Sequence, residues 1–298
     1  MEPATAIQHI LEYIDRHIDE PLSIALLAQQ AGYSPYHFCR LFRVHCGTSP
    51  MEYLRRRRLL LARSALFSQK KILDIALSYG FETASGFSKA FRREFGYSPS
   101  LYLAYIQASG RLNNFQGGTI FMEPIIQQKA AFRVAGYGLQ TQISDHFSQE
   151  LAAYWDTYHG ENMESRLYAQ LCPPKHGEVG ICLPSPAEDG SLTYLFGVIV
   201  PDFSRVTPDM QVLEVPAATY AVFTTPPVDN IQTADCYQED PLSLAVKSTW
   251  RYIFEQWLSA SKYRFDEHGC AFEFYDERCH GEKNAVADLY IPIRDNVE

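Results

Sequence analysis

Residues 27–59, LAQQAGYSPYHFCRLFRVHCGTSPMEYLRRRRL, and residues 72–102, ILDIALSYGFETASGFSKAFRREFGYSPSLY, decide the fold because the second repeats the first. Ala28-x-x-Ala31-Gly32-Tyr33 matches Ala76-x-x-Tyr79-Gly80-Phe81 at an offset of 48. Phe38-x-Arg40-Leu41-Phe42-Arg43 matches Phe87-x-Lys89-Ala90-Phe91-Arg92 at an offset of 49, and Gly47-x-Ser49-Pro50 returns as Gly96-x-Ser98-Pro99. In each copy a short helical pattern meets a glycine suited to positive φ, and a second helical pattern follows at once, which is the order of a helix-turn-helix.

The boundaries around these segments are equally legible. Ser34-Pro35 supplies a cap and a first-turn proline, Ser49-Pro50 does the same with Glu52 in capping-box position, and Thr83 can cap the helix through FSKAFRREF. Upstream, Ile7, Ile10, Leu11, Ile14 and Ile18 form one helical stripe. The helix between the copies is expected to end near Ser68, spanning roughly 27 to 30 Å at the α-helical rise, close to the ~34 Å of one DNA turn. One chain could therefore present two helices to successive major grooves, and a monomer on DNA suffices for a two-part site.

The charge divides along the chain. Residues 1–110 hold 13 Lys+Arg against 9 Asp+Glu, whereas residues 111–298 hold 13 against 26, so the overall −9 conceals a basic head on an acidic body. Local positive charge is what displaces counterions from nucleic acid. In the first copy Phe38, Leu41 and Phe42 turn inward and leave Tyr36, His37, Arg40 and Arg43 outward, with Arg40 suited to the O6 and N7 of guanine. In the second copy Phe87, Ala90 and Phe91 turn inward and Ala84, Ser85, Ser88, Lys89 and Arg92 face out. Arg55 heads the run Arg55-Arg56-Arg57-Arg58, whose charges either sit over phosphates or form a solvated helical face.

On these motifs, residues 4–108 resemble the double helix-turn-helix domain of the AraC/XylS regulators. The resemblance implies seven helices with a rigid linker helix, base contact by Tyr36 and Arg40, and phosphate or base contact by Lys89 and its neighbours. Ala84 and Ser85 depart from the longer polar side chains of that family, so the second helix is expected to hold mainly the backbone.

Asn113-Asn114 and Gly117-Gly118 mark a linker, giving an expected helical domain over 1–109, a linker over 110–120 and a second domain over 121–298. There FRVAGYGLQ, VGICL, TYLFGVIV, EVPAATYAVFTT, AFEFYDE and ADLYIPI read as strands. A helix is expected from about 145 to 159 with Phe147, Leu151, Tyr154 and Tyr158 on one face, and another opens at Asp240-Pro241, carrying Val246, Trp250, Ile253, Phe254 and Trp257. The order strand, helix, strand, strand occurs twice. The fold class is thus multidomain: an all-α double helix-turn-helix followed by an α+β domain built on a duplicated β-α-β-β unit.

VLEVPAATYAVFTT, the Trp250 helix and AFEFYDER resemble the gyrase-inhibitor-like (GyrI-like) effector-binding domain. The resemblance implies an amphipathic small-molecule effector, often a lipophilic cation, and places a ligand-contacting glutamate at Glu273. Strand alternation independently sets Glu273 and Tyr275 on one face and Phe272 and Phe274 on the other. A desolvated carboxylate with aromatic walls attracts such a cation by Coulomb and cation–π terms. Tyr137, Tyr194, Phe196, Phe223, Trp250 and Tyr290 are the candidate walls.

The function expected is sequence-specific transcription regulation, as an activator, with promoter DNA, RNA polymerase and the effector as partners. Two rivals stand beside it: a hydrolase of small electrophilic compounds using Glu273 beside Tyr275, and an acidic protein-interaction module without a small ligand. No G-x-S-x-G, phosphate loop or well-spaced metal motif is present, so neither catalysis nor a cofactor is expected. His268-x-Cys270 with Cys279-His280 is read as chance placement, and no metal is expected. Seven scattered cysteines (39, 46, 172, 182, 236, 270, 279) suit free thiols. With no long apolar run and an acidic amphipathic start, the chain is expected in the cytoplasm, with no membrane partner.

Overall fold

The computed structural model describes residues 3–66, 68, 70–108, 123–142, 163–184, 191–229, 241–281 and 283–295. The chain forms two compact units, Met1–Glu94 and Phe95–Glu298. The linker expected over 110–120, the helix expected over 145–159 and Cys236 lie outside the described residues. No helix among the described residues is long and apolar enough to cross a membrane.

The first unit holds α1 (Pro3–Arg16), α2 (Ile24–Ala31), α3 (Pro35–Cys46), α4 (Pro50–Ala65), α5 (Ile72–Ser78) and α6 (Ala84–Phe95), whose last residue opens the second unit. Ser34, Ser49 and Thr83 cap α3, α4 and α6 through their hydroxyl oxygens, which accept from the N–H groups of His37, Glu52 and Gly86. Ile7, Ile10 and Ile14 of α1 pack with Leu27, Ala28, Phe38, Phe42 and Leu54 in one buried cluster. Truncating either phenylalanine to Ala would cost about 3 to 5 kcal/mol.

The two turns repeat in detail. Gly32 and Gly80 adopt φ of 73° and 75°. Behind each, the next N–H closes on an alanine carbonyl: Tyr33 on Ala28 at 3.0 Å and Phe81 on Ala76 at 2.9 Å. The connecting helix differs from expectation. It stops at Ala65, so its 16 residues reach about 24 Å. Leu66 N–H still closes on Ala62, but Ser68 N–H folds back on Ala65, which ends the rod as a turn.

In the second unit, α7 (Pro99–Ala108) precedes β1 (Ile125–Lys129), β2 (Phe132–Gln142), α8 (Met163–Leu171), β3 (Glu178–Pro184), β4 (Ser191–Val200), β5 (Gln211–Val215) and β6 (Ala218–Thr224). Then come α9 (Pro241–Tyr252), continued by a π-helical turn (Ile253–Trp257) and a short end (Leu258–Ala260), β7 (Tyr263–Phe265), β8 (Phe272–Tyr275), a 3-10 helix (Glu277–His280) and β9 (Asp288–Asp295). The stretch EVPAATYAVFTT is two strands rather than one, because Pro216 lacks the N–H to continue a ladder.

All strands pair antiparallel in the order β1-β6-β9-β8-β3-β4-β2-β5, with β7 beside β9. The expected duplication is visible as β2-α8-β3-β4 and β6-α9-β8-β9, joined where β3 meets β8. Of the three remaining strands, β7 pairs with β9 and the other two cross over. β1, which precedes β2, pairs with β6, and β5, which precedes β6, pairs with β2. Only Ala130 and Ala131 connect β1 to β2, so the two ends of this sheet must come together and the sheet curls on itself. Its inner face holds Val134, Val179, Ile181, Leu195, Tyr220, Phe272 and Tyr290.

α7 packs on the other face. Tyr97, just before it, meets Phe254 edge-on at 4.9 Å, and Tyr105 lies 4.1 Å from Trp250. Both tyrosines are fully buried.

Candidate nucleic-acid interface and effector site

On α3 the inward positions are Phe38 and Phe42, and the opposite face carries Tyr36, 81% exposed, with His37, Arg40 and Arg43 also exposed. Among the described residues neither Arg40 nor Arg43 has an ion-pair partner, so both guanidinium groups are available to an external anion or base. On α6 the equivalent exposed positions are Ser85, Lys89 and Arg92. Ser88 corrects the outward reading. It is buried at 5% because it lies about 60° from Phe91 around the helix, on the flank of the packed face. Ala84 and Ala90 are half-buried.

The arginine run does mostly internal work. Arg55 faces Glu52 at 3.7 Å, Arg56 pairs with Glu94 at 2.8 Å and Arg57 with Asp15 at 2.9 Å. Arg58 is the residue that sequence reasoning missed. Its guanidinium donates to the carbonyls of Ile18 at 2.8 Å and Glu20 at 2.6 Å, while a methyl group added at Gly80 would run into it. One side chain of α4 thus holds the end of α1 and covers the turn of the second copy. Burial pushes its pKa down and nearby Asp19 opposes the shift.

In the second unit, the carboxylate of Glu273 accepts three hydrogen bonds: from Trp250 Nε1 at 2.8 Å, from the Tyr275 hydroxyl at 2.9 Å and from the Tyr194 hydroxyl at 3.3 Å. Glu273 is 7% exposed, and burial pushes its carboxyl up while the three donors and Lys247 pull it down. Gly180, opposite Glu273 in the β3–β8 register, leaves the needed space; an added methyl there would meet Glu273 Oε2 at 2.8 Å. Tyr105 of α7 lies on Trp250 and donates its hydroxyl to the Ala271 carbonyl at 2.7 Å. Of the expected walls, then, Tyr194 and Trp250 converge on the carboxylate together with its strand neighbour Tyr275, and Tyr105 joins them unforeseen. Its signal was the tyrosine-rich stretch GYSPSLYLAY, which helical periodicity alone assigned to the head.

The other walls separate. Tyr137 and Phe196 oppose one another across β2 and β4 on the Glu273 side, and Tyr137 lines its own cleft of about 360 Å³ with Arg166, Gln170, Thr207, Asp209 and Met210. Phe223 packs against Trp257 and Tyr252 beneath α9. Tyr290 is a correction. It stands directly opposite Phe272 in the β8–β9 register and stacks on that ring at 4.4 Å, which puts it on the face away from Glu273. His268 turns to Asp266 at 3.2 Å, while His280 lies with Glu164, His176 and Glu178.

Residues 27–105 match the family described as helix-turn-helix domain, and residues 125–293 match the family described as integron-associated effector binding protein. The chain is 44% identical over 97 residues to the regulatory protein SoxS of Salmonella typhimurium strain LT2, an overlap covering 32% of this chain and 91% of SoxS. It is 39% identical over 103 residues to the right origin-binding protein of Escherichia coli strain K12, covering 34% of this chain and 36% of that protein. The solved structure of SAV2435 bound to tetraphenylphosphonium aligns over 58% of this chain and 94% of that one, at 16% identity and a TM-score of 0.46. The duplicated helix-turn-helix and the duplicated β-α-β-β sheet, with the two family matches and the likeness to SoxS, make the chain a member of the AraC/XylS family of DNA-binding transcription regulators, carrying a GyrI-like effector-binding domain.

Proposed function

We propose that the chain binds promoter DNA as a monomer through α3 and α6, activates transcription with RNA polymerase, and is modulated by a lipophilic cation taken up beside Glu273. The observation that carries the ligand reading is a buried carboxylate whose hydrogen-bond donors all come from aromatic side chains. The three donors favour the charged form of this carboxylate against its burial, and the rings around it supply apolar area and π faces. Coupling runs through α7, which follows α6 after three residues and rests Tyr105 on Trp250. A ligand seated against Trp250 competes with that tyrosine, and such competition gives bound and free states different affinities for DNA.

The test uses the full chain. Rhodamine 6G, a fluorescent lipophilic cation, is titrated with and without promoter duplex, and thermal shift is read against cations, fatty acids and bile salts. Micromolar binding of the cation, lost in Glu273→Gln and altered by duplex, supports the proposal. Preference for the anionic amphipaths, or no ligand at all, overturns it, the second outcome favouring the acidic interaction module. The pH dependence has a defined sign. Because the folded carboxyl is raised, acidification below the raised value protonates Glu273 in the folded chain first; cation affinity falls while this group's contribution to stability rises, and both reverse as pH increases.

A further inference from the structure

Four side chains from three separate stretches meet at the start of β3, away from the carboxylate site: Glu164 on α8, His176 and Glu178 flanking Gly177, and His280 on the 3-10 helix. One ligand-capable atom from each lies within 4.8 Å of all the others. His176 Nε2 stands 3.4 Å from Glu164 Oε1 and 3.8 Å from Glu178 Oε1, and His280 Nε2 stands 3.8 Å from Glu164 Oε1. The edges of a tetrahedron with metal bonds of ~2.0 Å are ~3.3 Å long. Three of the contacts therefore already lie within about half an ångström of the spacing a tetrahedral ion imposes.

The surroundings are those of a held ligand set. The Glu178 side chain is only 4% exposed, and its Oε1 accepts from the Tyr168 hydroxyl at 2.6 Å, while that hydroxyl accepts from Gly177 N–H at 2.7 Å. Tyr168 also stacks on the His176 ring at 5.3 Å, which fixes that imidazole. His176 Nδ1 is buried without a hydrogen-bond partner among the described residues. Two imidazoles with two carboxylates are a borderline donor set, which suits zinc better than the all-oxygen preference of magnesium or calcium.

We propose that Glu164, His176, Glu178 and His280 bind one zinc ion. The ion would tie α8, the start of β3 and the 3-10 helix together. It would sit one strand pairing from Tyr275, which faces Glu178 across β3 and β8 and donates to Glu273. A zinc site here braces one wall of the carboxylate site without entering it.

The experiment takes the full chain stripped with EDTA, dialysed, and titrated with zinc against a chromogenic chelator, followed by cobalt(II) substitution. One tight equivalent is expected, weakened at least about tenfold in His280→Gln and in Glu164→Gln and unchanged in His268→Gln. Cobalt should give the intense visible bands of a tetrahedral site in the parent chain and lose them in His280→Gln. Far-UV circular dichroism of the metal-free variants checks folding, and should a variant fail to fold, the parent's cobalt spectrum decides alone. Absence of a tight equivalent, affinity unchanged in both variants, or a pale octahedral cobalt spectrum overturns the proposal.

Discussion

The two helix-turn-helix copies share one frame and differ in what they offer outward. Gly32 and Gly80 turn the chain with φ values two degrees apart, and Phe38 and Phe42 occupy the places of Phe87 and Phe91. Yet α3 presents a tyrosine, a histidine and two arginines, whereas α6 presents Ser85, Lys89 and Arg92 and buries Ser88. Core positions in a duplicated fold are held by packing, while surface positions answer only to the partner they meet. We propose from this comparison that sequence reading belongs to the first copy and backbone gripping to the second.

The largest effect should come from breaking the frame both copies share. Arg58→Ala removes two charge-assisted bonds to main-chain carbonyls and uncovers the Gly80 turn, and should cost about 3 kcal/mol in urea unfolding followed by helical signal. A loss below about 1 kcal/mol would mean that the copies stand independently of this brace. Next, Arg40→Ala should reduce affinity for the specific duplex by about 1 to 3 kcal/mol, roughly 5- to 150-fold, with little change on random duplex. Equal losses on both duplexes would reassign Arg40 to phosphate. Lys89→Ala should weaken binding only several-fold, alike on all sequences, and lower the salt slope by about one; a change in base preference would erase the proposed asymmetry. Ser88→Ala should leave DNA affinity within about twofold, since its hydroxyl does not reach the surface.

What was legible followed from local rules. Turn glycines, serine caps and the inward phenylalanines are set within a few residues of one another, and the alternation of Phe272, Glu273, Phe274 and Tyr275 correctly divided the faces of β8. What was not legible depended on register between distant segments. Tyr290 changed face because β9 aligns it with Phe272, a pairing no local pattern states. Arg58 read as one of four equivalent arginines, and only the return of residues 18, 20 and 80 to its side distinguishes it. The His/Glu cluster draws on residues 116 positions apart, with no spacing motif to announce it.

The crossing of β1 and β5 has a consequence for how the second unit comes apart. Each β-α-β-β half has its outer edge sealed by a strand that belongs, in chain order, to the other. A cut in the connection between β4 and β5 would therefore release no self-sufficient fragment, since both pieces would bear raw ladders needing the other piece to quench them. Loss of order at either end must spread through the whole sheet, and the curl melts as a single cooperative body.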